Sequence, residues 1–138
     1  MRIALAEAQK AADHDEVPVG AVIVAGKTVI SRAYNLTETL TDPTAHAEMQ
    51  AITAATSYLG GKYLKDCTIY VTVEPCIMCA GALAWSQIPA IVYGAPDAKK
   101  GYTTTGVQIL HPKTEVRSGI LAKECSEIMK KFFRKKRE

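Results

Sequence analysis

Two short stretches of this 138-residue chain combine reactive residue types at usable spacings: His46-Ala47-Glu48 and Pro75-Cys76-Ile77-Met78-Cys79. Cys76 and Cys79 are three residues apart, on one face of a helical turn. Both lie near an expected helix start, whose positive end favours thiolate over thiol. One imidazole with two thiolates makes a Cys2His set for zinc. Three protein ligands leave the fourth tetrahedral position to water, which marks a catalytic rather than a structural site. Glu48 is two residues from His46, a spacing that puts side chains on opposite sides in mid-helix. In a first turn, however, side chains lean towards the N-terminus, so both can reach an object just off the helix end. A carboxylate there can take a proton from water whose pKa zinc lowers to about 7, and pass it to a substrate.

Other uses of these residues fit the sequence less well. A redox Cys-x-x-Cys pair leaves His46-x-Glu48 unexplained. A structural Cys3His site would recruit Cys67 or Cys125. Cys67 opens an apolar strand and Cys125 falls on the apolar side of the last helix, so both read as buried, inert thiols. His14 lies in a polar loop and His111 precedes a proline, positions that favour surface roles over metal ligation.

The elements that must hold these groups follow from periodicity. Residues 3–13 carry apolar or small residues at helical spacing, and 17–24 and 28–33 form a hairpin around Ala25-Gly26-Lys27. Asp42-Pro43 predicts a helix start, with Thr41 or Asp42 as cap and proline at the first position, running to about Ser57. Residues 67–73 are a β-branched strand, and Pro75 opens a helix to about Trp85. Residues 90–93 form a short strand, parallel to 67–73 because a helix joins them. Residues 95–112 read as loop, and an apolar stripe at Ile120-Leu121, Cys125, Ile128-Met129 and Phe132-Phe133 predicts a final long helix. The order α-β-β-α-β-α-β-loop-α predicts an α/β protein, a three-layer α/β/α sandwich in a single domain over 1–138.

Composition agrees. The chain is 48% apolar and 22% charged, as expected of a folded domain rather than a disordered one. No run approaches the ~18 apolar residues of a membrane span. Met1–Glu7 lacks a signal-peptide core, so a cytoplasmic location is expected. The net charge of +3 is uneven. Lys130, Lys131, Arg134, Lys135, Lys136 and Arg137 against Glu138 give the last nine residues +5 and leave the rest at −2. A basic end suits a nucleic-acid partner. It equally suits a helix C-terminus complementing its dipole, the simpler reading on charge alone.

His-x-Glu followed by Pro-Cys-x-x-Cys is the signature of zinc-dependent nucleobase deaminases. Together with Glu16–Ala21, Asn35, Asp42–Glu48, Tyr70–Ala82, Tyr93-Gly94-Ala95, Asp97, Lys99, Gly119–Leu121 and Phe132–Arg134, it makes the chain resemble the cytidine deaminase superfamily. Within that superfamily it resembles the bacterial tRNA-specific adenosine deaminases, over nearly its whole length. The resemblance implies a mixed five-stranded sheet flanked by helices, one Zn2+ per chain on His46, Cys76 and Cys79 with water as fourth ligand, and Glu48 as proton shuttle. It implies Asn35 as a substrate hydrogen-bond partner, with Val19, Gly20 and Ala47 bordering the base. It also implies a homodimer binding a tRNA anticodon stem-loop and converting adenosine to inosine at the wobble position. RNA contacts would then come from Asp97, Lys99, Phe132, Phe133, Arg134, Lys135, Lys136 and Arg137, which turns the basic end into a phosphate contact. A few residues are expected to precede this start.

One segment departs from the family pattern. Residues 101–113 are shorter than the tRNA branch and lack its Gly-Ser and Asn-His. That keeps a second substrate class open, a free nucleobase or nucleoside of guanine, cytosine or adenosine type; a 101–112 loop lying across the pocket mouth would favour it. A third class, a catalytically silent RNA-binding subunit, is disfavoured by the presence of Glu48.

Overall fold

The computed structural model describes all of residues 1–138. Five strands form one sheet: β1 (Gly20–Ala25), β2 (Thr28–Tyr34), β3 (Cys67–Val73), β4 (Ala90–Ala95) and β5 (Glu115–Arg117), in the order β2-β1-β3-β4-β5. β1 runs antiparallel to β2 and β3, while β3, β4 and β5 run parallel. Four helices surround the sheet: α1 (Arg2–Asp13), α2 (Ala47–Leu59), α3 (Ile77–Ser86) and α4 (Ala122–Lys136). The mixed five-stranded sheet with its helices is the expected three-layer architecture.

Alternation along the strands divides the layers. Ala21 and Ile23 of β1, Ile69 and Val71 of β3, and Ile91 and Tyr93 of β4 form one core with Ala47, Ala51 and Ala55 of α2 and Ala80 and Leu83 of α3. The alanines recur every fourth residue, so α2 presents a smooth face that can lie close to the sheet. On the other face the sheet meets α1 and α4, with Ala4, Ala8 and Ala11 of α1, Cys125 of α4 and Val22, Thr72 and Val92 of the strands buried, and at two glycines the approach is closer still. A Cβ on Gly20 would run into the α1 backbone at Ala4 and Ala8, and one on Gly94 would meet Cys125 of α4. Cys125 is fully buried, and burial pushes its thiol up to about 11, as expected of an inert packing residue. No helix is long and apolar enough to cross a membrane.

Several boundaries differ from the sequence reading. Pro43 does not start a helix, because the Asp42 carboxylate accepts from the N–H and hydroxyl of Thr44 (2.8 and 2.7 Å), a local turn that competes with helix. Instead α2 starts at Ala47, with His46 as its N-cap in extended conformation, and α3 starts at Ile77 with Cys76 in the same role. β5 lay in a stretch that carried no strand signal, since all three of its residues are exposed.

Candidate functional site

Both reactive segments occupy the same kind of position, where an extended residue turns into a helix. β3 ends at Val73, and the chain passes through Glu74 and Pro75 to Cys76, with Cys79 in the first turn of α3. Across from it, the loop after β2 delivers His46 to the start of α2, with Glu48 in its first turn. The two-residue spacing of His46 and Glu48 therefore poses no facing problem: His46 lies outside the helix.

The three expected ligand side chains converge. His46 Nδ1 is 3.6 Å from Cys76 Sγ and 3.6 Å from Cys79 Sγ, and the three ligand atoms lie within 4.8 Å of one another. Zinc–nitrogen and zinc–sulfur bonds of ordinary length at a tetrahedral angle hold N and S about 3.6 Å apart. The spacing and the donor types therefore fit a metal ion. The electrostatics fit as well. Hydrogen bonding from Cys79 and from His46 outweighs burial and pulls the Cys76 thiol down to about 4, which favours its thiolate. The same hydrogen bond with Cys76, followed by burial, pushes Cys79 up. His46 is raised, first by its hydrogen bond with Cys76, while burial and, more weakly, the charge of Lys100 oppose this. A bound cation would remove the competition and take both sulfurs as thiolates. Cys67 and Cys125 are buried away from the cluster, which also excludes His14 and His111. His14 stacks on Tyr34, and His111 Nδ1 accepts from the N–H of Lys113.

Glu48 is 3% exposed, and burial, opposed by weaker effects, pushes its carboxyl from 4.5 up to about 7. A carboxyl so placed can both accept and return a proton near neutral pH.

These groups open into a cavity of about 1070 Å³. Val19, Asn35, Ala47 and Glu48 lie on its wall, whereas Gly20 does not: its small size serves the contact with α1, and its N–H donates to Thr72 Oγ1 (3.1 Å). Asn35 is buried beside Thr37, and the loop that follows is held by Glu16. The fully buried Glu16 carboxylate accepts from the N–H of Glu38 (3.0 Å) and from the N–H and hydroxyl of Thr39 (both 2.6 Å).

The rim carries Asp97 and Lys99 on one side and α4 on the other, with Phe133, Lys136 and Arg137. Phe132, Arg134 and Lys135 do not line it. Phe132 packs edge-on against Phe133, with the Lys136 ammonium 5.5 Å from its ring centre. Lys136 also pairs with Asp15 at 2.5 Å, which ties the end of α4 to the loop after α1. Glu74 and Lys100, absent from the expected site, also lie on the lining, as do Met129 and Lys130, which the sequence marked only as part of the α4 stripe and of the basic end. The signal for Glu74 was a charge closing an apolar strand just before the Cys pair. For Lys130 it was the spacing 126, 129, 130, 133, 137, one helical face of α4.

Comparison with known proteins agrees with this geometry. A curated tRNA-specific adenosine deaminase of Agrobacterium fabrum is 44% identical over 99% of this chain and 93% of its own length. A solved structure of a tRNA:A34 deaminase, from work on A-to-I editing at the wobble position of transfer RNA, superposes with a TM-score of 0.86. It is 41% identical over 93% of this chain and 96% of the other. The guanine deaminase of Bacillus subtilis superposes with a TM-score of 0.68 at 35% identity, over 80% and 74% of the two chains. With the family model matching residues 1–137, and a His-Cys-Cys cluster beside a buried glutamate within it, this chain belongs to the MafB19-like deaminase family.

Proposed function

We propose that this chain is a single-domain, zinc-dependent hydrolytic deaminase that converts adenosine to inosine at the wobble position of a tRNA anticodon. The observation that carries this reading is what borders the cavity. None of residues 101–112 lies on its lining; most of that segment instead surrounds a separate hollow of about 380 Å³. A loop over the mouth would restrict entry to a free base. Here the cavity is instead bordered by basic side chains, among them Lys99, Lys100, Lys130 and Arg137. Unstacked anticodon-loop bases can be splayed into such a pocket, and the surrounding phosphates meet the cations. The curated tRNA deaminase and the A34 deaminase structure support the same substrate.

Zinc held by His46, Cys76 and Cys79 would supply the Lewis acidity that makes water a nucleophile near neutral pH. Glu48 takes the proton of the attacking water, gives it to N1 of adenine, and then returns a proton to the departing amino group. Water is consumed and ammonia released. Asn35 holds the nucleoside by a hydrogen bond, while Val19 and Ala47 exclude solvent from the base. The exposed apolar residues Ile77 and Trp85 of α3, the latter 85% exposed, support a homodimer. A cytoplasmic location, where tRNA is used, goes with this reading.

The test is inosine formation in an anticodon hairpin by zinc-loaded protein. Glu48→Ala is expected to retain zinc and lose the activity. No inosine with zinc-replete wild type overturns the reading. The likeness to a guanine deaminase makes a free purine the competing substrate, so the same preparation is assayed on free bases.

A further inference from the structure

Glu74 has no part in the chemistry just described, yet it is 4% exposed and borders the cavity. No cation pairs with it, since the ion pairs of this structure are Lys10–Glu7 and Lys136–Asp15. Its partners all belong to one loop. Oε1 accepts from the N–H of Asp97 (3.1 Å), and Oε2 accepts from the N–H (3.1 Å) and hydroxyl (2.7 Å) of Thr103. Gly101 passes so close that a Cβ there would collide with this carboxylate. The loop is further closed on itself and on the chain beside the metal ligands. Asp97 Oδ1 accepts from the N–H of Lys99 and of Lys100 (both 3.0 Å), and the N–H of Tyr102 donates to Pro75 O (2.9 Å). Between the two ends that Glu74 grips stand Lys99 and Lys100, exposed and on the cavity rim.

We propose that Glu74 is a positioning residue for RNA: its buried carboxylate pins both ends of the 97–103 loop and so presents Lys99 and Lys100 as a paired phosphate contact beside the pocket. This rests on the RNA reading above. A carboxylate suits the task because it only accepts, and all three groups facing it donate. A glutamine there must turn its NH2 towards one of those donors. The loop end would shift while the core strand behind it stays in place. Burying a charge without a counter-cation is costly. The cost is offset by three donors that water would otherwise satisfy, and the gain is two lysine backbones held in register with the metal ligands.

The experiment compares wild type, Glu74→Gln, Lys99→Ala/Lys100→Ala and the triple variant, all zinc-loaded, on an anticodon hairpin. Zinc per chain, KM, kcat and the salt dependence of RNA binding are measured. Glu74→Gln and the lysine pair are each expected to raise KM, leave kcat within about twofold, and retain zinc. Each flattens the plot of log K against log salt by up to about 1.4, from about 0.7 per single-strand phosphate contact. Between about 50 and 200 mM salt that is up to about a sevenfold difference in lost affinity. The triple variant is expected to be no worse than the lysine pair, because both changes remove one interaction. Thr103→Val, which deletes one donor from an exposed residue, is expected to shift KM the same way by less. Loss of zinc, a fall in kcat at unchanged KM, or KM effects that multiply in the triple variant overturn this inference while leaving the deaminase reading intact. A wild-type protein that neither binds nor edits the hairpin overturns both.

Discussion

The basic end of α4 offers a sharp test, because only part of it faces the cavity. Lys130 and Arg137 lie on the lining together with Ser126, Met129 and Phe133, whereas Lys131 and Lys135 lie off it. At about 100° per residue, Lys131 and Lys135 point to the far side of α4. Lys130→Ala/Arg137→Ala and Lys131→Ala/Lys135→Ala therefore remove the same charge from opposite faces, and neither disturbs the Lys136–Asp15 pair that anchors the helix end. If the lining cations touch phosphates of a single-stranded loop, each contributes about 0.7 to the salt slope, so losing two flattens it by about 1.4. Raising salt from about 50 to 200 mM would then cost the cavity-face variant about sevenfold less affinity than it costs wild type. The far-face variant would keep the wild-type slope. Fluorescence anisotropy of a labelled anticodon hairpin across that salt range measures both. Equal slopes for the two variants would refute the reasoning and return the basic end to a solubilising role.

Other expectations follow from packing and titration. Gly94→Ala forces a methyl against Cys125 and the Thr72 carbonyl; it should destabilise by about 1–3 kcal/mol in urea melts, as overpacking does, with part of the loss recovered by Cys125→Ala. Burial raises the Glu16 carboxyl, but the hydroxyl and N–H of Thr39 with the N–H of Glu38 outweigh this and hold it below 4.5. The stability it gives is therefore full above 4.5 and lost as pH falls through the lower folded value. Glu16→Gln should cost about 1.5–3 kcal/mol at neutral pH, typical of hydrogen bonds to a charged group, and the gap to wild type should close in acid; a gap independent of pH would refute this. Trp85→Lys on α3 should convert a dimer to monomer in sedimentation analysis without loss of zinc, and an unchanged oligomer would place the interface elsewhere.

Much of the site was legible because its candidate metal ligands come in contiguous motifs. His46-x-Glu48 and Cys76-x-x-Cys79 need only two segments to meet, and the β3–α3 and loop–α2 junctions bring them together. The layers were legible for a similar reason, since β-branched runs and apolar stripes report directly on strand and helix faces. The misplaced start of α2 had a local cause. Asp42-Pro43 is as good a turn as a helix cap, and only the hydrogen bonds to Thr44 decide between them. The stripe on α4 correctly marked a helix, but of its residues only Cys125 is buried there. Met129 and Phe133 face the cavity instead, a distinction that periodicity cannot make. Glu74 was hidden because its function lies in contacts with residues 23 and 29 positions away.

A side-by-side assay decides the substrate class. Zinc-loaded protein is given an anticodon hairpin with adenosine at the wobble position, and separately free adenine, guanine, cytosine and adenosine; inosine is measured in the RNA and ammonia in the other samples. Inosine at the wobble position with no ammonia from the free compounds is the expected result. Ammonia from a free base with the hairpin untouched would contradict the account.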